Sequence, residues 1–198
     1  MRKKYKILVT AIGGILGPSL VKALRLSGTD FDIHGCDVGS ECYGQAFVQE
    51  YHQVPLASDP EYIAEIVGLC KTIGVDCIIP ASDPEIQTLV GADEKLASIP
   101  IICQQEDTLN IFSDKLATAE HLASSITLSP WADGNDPKAV KRVLQQTGFP
   151  VIVKPRRSSG SRLVNKVGDQ ATLDKALETT YEPFVQAYLD DSGGEYSV

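Results

Sequence analysis

The sequence predicts an α/β protein in two parts: a parallel sheet with helices on both faces, followed by a smaller α+β portion. Three observations carry this expectation. Over the first hundred residues, short β-branched runs alternate with amphipathic helical stretches at the spacing of β-α-β units. The junctions hold capping and turn residues, with Gly28 and Gly74 at helix ends and the tetrapeptide Ser-Asp-Pro-Glu at two helix starts. After about Gln104 the rhythm changes to a long helical stretch, a turn-rich join, and apolar strands around a glycine- and serine-rich hairpin. The two parts are expected at residues 1–104 and 105–198.

In the first part, Lys6 to Ala11 is a buried-strand pattern, and Gly13, Gly14 and Gly17 form a turn before Pro18 opens a helix. Leu20, Val21 and Leu24 share one face of that helix. The next strand, Phe31 to Asp37, ends in an acid about twenty residues further on, where a dinucleotide-binding fold places its ribose ligand. That fingerprint needs glycine at position 12, which is Ile, so a tight structural turn and a strand-end aspartate explain the pattern better. Val54 to Leu56 reads as a short strand. Ser58-Asp59-Pro60-Glu61 then opens a helix with Ile63, Ile66, Val67, Cys70 and Ile73 in register, and Val75 to Pro80 is a strand. Ser82-Asp83-Pro84-Glu85 opens another helix, and Ile101 to Cys103 is a further short strand. In such a sheet ligands bind beyond the carboxyl ends of the strands, so Ile12 to Gly17, Asp37 and Ala81 to Asp83 should line one rim.

In the second part, Asp107 to Leu122 reads as a single helix with Ser113-Asp114-Lys115 in its middle, and Ser124 to Pro137 as a join. Pro137 to Thr147 is a short helix ended by Gly148. Val151, Ile152 and Val153 form a strand that runs into Lys154, and a loop of Ser158, Ser159, Gly160 and Ser161 follows, flanked by Arg156, Arg157 and Arg162. Leu163 to Val167 returns as a strand, Asp169 caps a helix, and Pro183 to Leu189 is another strand. Four cations around one hairpin attract an anion on an acidic chain, and small residues let backbone N–H groups approach phosphate oxygens. A solvated hairpin tip with ordinary surface arginines accounts for the same residues, so the loop by itself leaves both readings open.

The net charge of -8 and the pI near 4.9 exclude broad binding to nucleic acid or an anionic membrane, which needs a larger basic face. Five cysteines without metal-ligand spacing imply a reducing, cytoplasmic compartment. The basic N-terminus is followed by too short an apolar run for a signal peptide or a membrane span.

Taken in order, FSDKL, GFPVIVKPRRSSGSR, FVQAYL and GGEYSV resemble the N-terminal part of the ATP-grasp superfamily, as in carbamoyl phosphate synthetase and related carboxylate-amine ligases. The first part resembles the Rossmann-like pre-ATP-grasp domain of those enzymes, so the resemblance spans the chain. It implies that Lys115 and Lys154 contact ATP phosphates, the latter also approaching adenine. Ser158, Ser159, Gly160 and Ser161, with Arg162 beside them, match the loop that closes over the β- and γ-phosphates. Gln186 stands where relatives usually have glutamate at the interdomain hinge, Ala187 and Leu189 match residues whose backbone reads the adenine edge, and Glu195 matches an acidic position near the ribose. The implied reaction is ATP-dependent ligation of a small carboxylate with an amine or ammonia through an acyl phosphate. Mg²⁺ ligands are expected beyond Val198, with no metal ligand or catalytic residue assigned within the chain. The chain reads as a fragment that is inactive alone, compatible with a homodimer. Two other classes stand beside this one: a nicotinamide-dependent oxidoreductase on the first domain, and a non-catalytic module of a split synthetase.

Overall fold

A computed structural model of the chain describes residues 4–92, 96, 99–158, 163–190, 192 and 194. It divides into two compact units, Met1–Glu106 and Asp107–Val198.

The first unit runs β1 (Tyr5–Val9), α1 (Leu16–Leu26), β2 (Phe31–Asp37), a 3-10 turn (Tyr43–Phe47), β3 (Glu50–Gln53), α2 (Tyr62–Ile73), β4 (Cys77–Ile79) and α3 (Asp83–Val90). Its four strands form an all-parallel sheet in the order β3-β2-β1-β4, as the alternating pattern predicts. Side-chain alternation along β1 sends Leu8 to one face and Ile7 and Val9 to the other. Leu8, Cys36 and Ile78 pack under Tyr62, Ile66 and Cys70 of α2, and Val21 of α1 covers Ile7, Val9 and Ile33. Both faces are therefore buried by helices. The third strand lies at residues 50–53, not 54–56: EYHQ is a polar edge strand, so it carries no apolar signature. Ile101 contributes a single bridge to Ile78 instead of a full strand.

The turn after β1 explains its glycines by packing. A side chain at Gly17 would lie 2.6 Å from the Ile12 Cα. The Gly13 N–H donates to Asp37 Oδ2 at 2.7 Å, and Asp37 Oδ1 accepts from the Val38 N–H at 2.8 Å, so the strand-end acid holds the loop. Further along the carboxyl rim, Glu85 is 6% exposed and accepts three hydroxyl bonds, from Thr10 (2.8 Å), Tyr62 (3.0 Å) and Ser82 (2.7 Å). Burial and the neighbouring carboxylate push the Tyr62 hydroxyl up in pKa, which keeps it a donor. Glu85→Gln keeps the shape but turns one acceptor into a donor facing a hydroxyl, and is expected to cost about 1–2 kcal/mol in urea unfolding.

The helix α4 (Glu106–Phe112) starts at the last residue of the first unit and leads into α5 (Lys115–Leu122), two helices where the apolar pattern predicts one. The break falls at Asp114, whose carboxylate accepts from the Leu116 and Ala117 N–H groups and so starts a new helix. The turn-rich join hides a short strand, β5 (Trp131–Asp133). There follow α6 (Pro137–Thr147), β6 (Val151–Pro155), β7 (Asn165–Val167), α7 (Gln170–Thr179) and β8 (Pro183–Ala187). The strands make an antiparallel sheet in the order β5-β8-β6-β7. One face, with Val151, Val153, Val185 and Ala132, is buried with Val140 and Val143 of α6 and Leu173 of α7. The other face carries Lys154, Gln186, Phe184 and Trp131, and Leu116 and Ala119 of α5 cluster with Phe184. All five cysteines are free, and among the described residues no helix is long and apolar enough to cross a membrane.

Candidate functional site

The β6 strand ends its buried run by turning Lys154 onto the face opposite Val151 and Val153. Lys154 pairs with Phe184 across β8, and Gln186 lies two residues on along the same face. The Lys154 ammonium donates to Gln186 Oε1 at 2.9 Å and sits 5.6 Å from the Phe184 ring centre. Gln186 in turn donates from Nε2 to Ser129 Oγ at 2.7 Å, and Trp131 stacks on Phe184 with ring centres 6.1 Å apart. Ser129 and Trp131 belong to the join that reads as loop, so the sequence pattern misses both.

Lys115 enters from the start of α5. Its backbone N–H donates to the Arg156 carbonyl at 3.0 Å, and its ammonium donates to the Arg156 carbonyl (3.2 Å), the Ser158 carbonyl (2.9 Å) and Ser158 Oγ (3.1 Å). It is half-buried, unlike an ordinary solvated helical lysine. Burial lowers the basicity of both lysines; the charge of Lys115 lowers Lys154 further, while Asp114 partly offsets the effect on Lys115. Among the described residues neither ammonium makes an ion pair.

The arginines behave differently from the cationic cluster the sequence suggests. Arg156 forks onto Asp114, with Nε 3.0 Å from Oδ1 and Nη2 2.6 Å from Oδ2, and Arg157 Nη2 lies 3.2 Å from the same Oδ2. Arg157 also faces Glu182 at 3.8 Å. Asp114 is 1% exposed, and the Arg156 hydrogen bonds hold its carboxyl below the usual carboxylate range. Both guanidinium groups are therefore neutralised by protein carboxylates, and among the described residues of the site the anion-attracting charge falls to the lysines.

The structure thus brings together Lys115, Lys154, Ser158 and Gln186. Ala187 is buried in β8 and its N–H is committed to the Pro130 carbonyl at 2.8 Å, while Leu189 is exposed. Ser159, Gly160, Ser161, Arg162 and Glu195 lie outside the described residues. The rim of the first unit carries Asp37, already engaged by Gly13.

The chain thus joins an all-parallel α/β unit to an α+β unit whose antiparallel sheet carries two half-buried lysines at one site. Residues 7–104 match the PylC-like, N-terminal domain family. A stretch of 67 residues, 34% of this chain, is 36% identical to the vancomycin C-type resistance protein VanC1 of Enterococcus gallinarum and covers 20% of that protein. N5-carboxyaminoimidazole synthetase from Staphylococcus aureus, solved with ADP, superposes with a TM-score of 0.69 at 18% identity, covering 96% of this chain and 49% of that one. The biotin carboxylase domain of 2-oxoglutarate carboxylase from Hydrogenobacter thermophilus, solved with MgADP, ADP and bicarbonate, gives 0.72 at 16% identity, covering 96% and 46%. The chain spans about half the length of these structures and a fifth of VanC1. Over residues 7–104 the chain belongs with the PylC-like, N-terminal domain family, and over 96% of its length it shares the fold of these two solved structures.

Proposed function

We propose that this chain is the ATP-phosphate-binding front portion of an ATP-dependent carboxylate-amine ligase, with residues 1–104 as its pre-ATP-grasp domain and residues 105–198 as the start of its ATP-grasp domain. The observation that carries the reading is the convergence of Lys115 and Lys154 beside Ser158, two ammonium groups from separate elements without a carboxylate partner among the described residues. A desolvated ammonium gains most by meeting a phosphate, because the anion restores the charge compensation that burial removed. The matched structures that hold ADP lend support.

In the reaction, a carboxylate oxygen attacks the γ-phosphorus and ADP leaves. The amine nitrogen then attacks the acyl carbon and releases phosphate. Lys115 and Lys154 neutralise charge on the phosphate oxygens, and Ser158 beside Lys115 adds a hydroxyl donor. Gln186 suits this arrangement: a glutamate 2.9 Å from Lys154 would spend the ammonium on an internal ion pair, whereas the amide orients it and leaves its charge for ligand. Ala187 would offer adenine only its carbonyl, since its N–H is used, and Leu189 and Glu195 would complete the nucleoside contacts. Mg²⁺ would be held by carboxylates; among the described residues the second unit contains no cluster with metal-ligand spacing. A small carboxylate is the expected cosubstrate, and the chain alone is expected to turn over nothing.

The test is calorimetric titration of the purified chain with ATP, AMP and NAD⁺. ATP is expected to bind measurably and AMP at least about tenfold more weakly, because the triphosphate tail makes the charge-assisted contacts. Equal binding of ATP and AMP, or preferential binding of NAD⁺, would overturn the reading; the latter would move the nucleotide to the first unit.

A further inference from the structure

The first unit carries a second cluster of chemistry-bearing side chains, on the α2 face of β2 and β3 and toward the amino ends of the strands. It lies away from the carboxyl rim where such sheets hold their ligands. In the parallel register His34 faces Glu50 and Cys36 faces His52, so the alternation of the strands puts His34, Glu50 and His52 on one side. His34 Nδ1 is 3.3 Å from His52 Nε2 and 3.6 Å from Glu50 Oε2, and His52 Nε2 is 4.0 Å from the same Oε2. A point equidistant from these three atoms lies about 2.1 Å from each, the bond length of Zn²⁺ to imidazole nitrogen or carboxylate oxygen.

We infer that His34 Nδ1, His52 Nε2 and Glu50 Oε2 form a binding site for a divalent transition-metal ion of the zinc class. Two further observations point the same way. His34 is 6% exposed and its buried Nε2 has no hydrogen-bond partner among the described residues, while Asp32 Oδ1 stands 3.8 Å from it. That carboxylate favours the tautomer with the proton on Nε2, which leaves the Nδ1 lone pair directed at the other two donors, the arrangement in which an acid behind a histidine tunes a metal ligand. Beside the cluster is a cavity of about 600 Å³, lined from the helix side by Glu65, Gly68, Leu69 and Thr72, with room for ligand water at a fourth position. Two imidazoles and one carboxylate select zinc, cobalt or nickel over magnesium and calcium. The bound ion would tie the edge strand β3 to β2, because each strand supplies ligands.

The purified chain is titrated with cobalt(II) chloride, followed by visible absorption, and then with zinc chloride as competitor. One equivalent of cobalt is expected to bind with visible d–d bands and without the near-ultraviolet band of a thiolate ligand, and zinc should displace it. Glu50→Gln alters one atom on an exposed side chain, and His52→Ala removes a half-buried ring at the sheet edge. Each is expected to weaken binding at least about tenfold, the loss that even an outer-sphere partner causes, with the far-ultraviolet dichroism unchanged. A thiolate band, absence of saturable binding, or unchanged affinity in the well-folded Glu50→Gln protein would overturn the assignment.

Discussion

Asp114→Ala is expected to lower the stability of the second unit by about 3 kcal/mol in urea unfolding. The carboxylate has two jobs. It caps α5 by accepting from the Leu116 and Ala117 N–H groups, which accounts for about 1 kcal/mol. It also receives the Arg156 fork and the Arg157 guanidinium, charge-assisted bonds contributing about 1.5–3 kcal/mol in such settings. The two arginines retain side-chain exposures of 23% and 58%, so water can reclaim their charge, and the full cost of an orphaned buried ion does not apply. Asp114→Asn separates the jobs. Asparagine caps as well as aspartate, so about 1–2 kcal/mol should be lost instead of three. The pH dependence follows from the depressed carboxyl: its contribution is present above the unfolded value of 3.8 and disappears as pH falls through the lower folded value. The stability gap between the wild-type chain and Asp114→Ala should therefore be flat at neutral pH and close only in strong acid. A gap that closes near pH 6 would assign it to some other group.

The contrast between Asp114 and its neighbours shows what was legible in the sequence. The β-α alternation of the first unit could be read directly, because β1 and β2 are buried on both faces and α1 and α2 each run into a glycine of positive φ, 75° at Gly28 and 73° at Gly74. The edge strand β3 could not, since only an apolar strand announces itself and EYHQ is half in water. The same polarity conceals His34, Glu50 and His52 as a group: no linear spacing brings residues of adjacent parallel strands together, and only the register does. At the hairpin, motif order singles out Lys154, Ser158 and Gln186, and the structure places Gln186 on Lys154 and Ser158 on Lys115. The fate of Arg156 and Arg157 was not, because their partner Asp114 lies 42 residues before Arg156 and reads as mid-helix until its capping geometry is seen. Charge counting along a loop cannot tell a free cation from one already spent.

Lys154→Met is expected to weaken ATP binding about 100-fold while leaving the fold intact. The side chains have similar length, so the methionine can fill the same space beside Phe184, and no buried ion pair is broken, because among the described residues Lys154 has none. What is lost is one charge-assisted contact to phosphate in a partly desolvated site, about 1.5–3 kcal/mol, or roughly ten- to over a hundredfold in affinity. Burial and the Lys115 charge already depress the Lys154 ammonium, so its removal should not lower the thermal midpoint. Lys115→Met should also weaken ATP, yet the double variant should lose less than the product of the two. Each lysine raises the cost of keeping the other charged, and removing one relieves its neighbour. A fully multiplicative loss would mean that the two ammonium groups do not share one anion, and binding unchanged in Lys154→Met would remove this sheet face as the phosphate site.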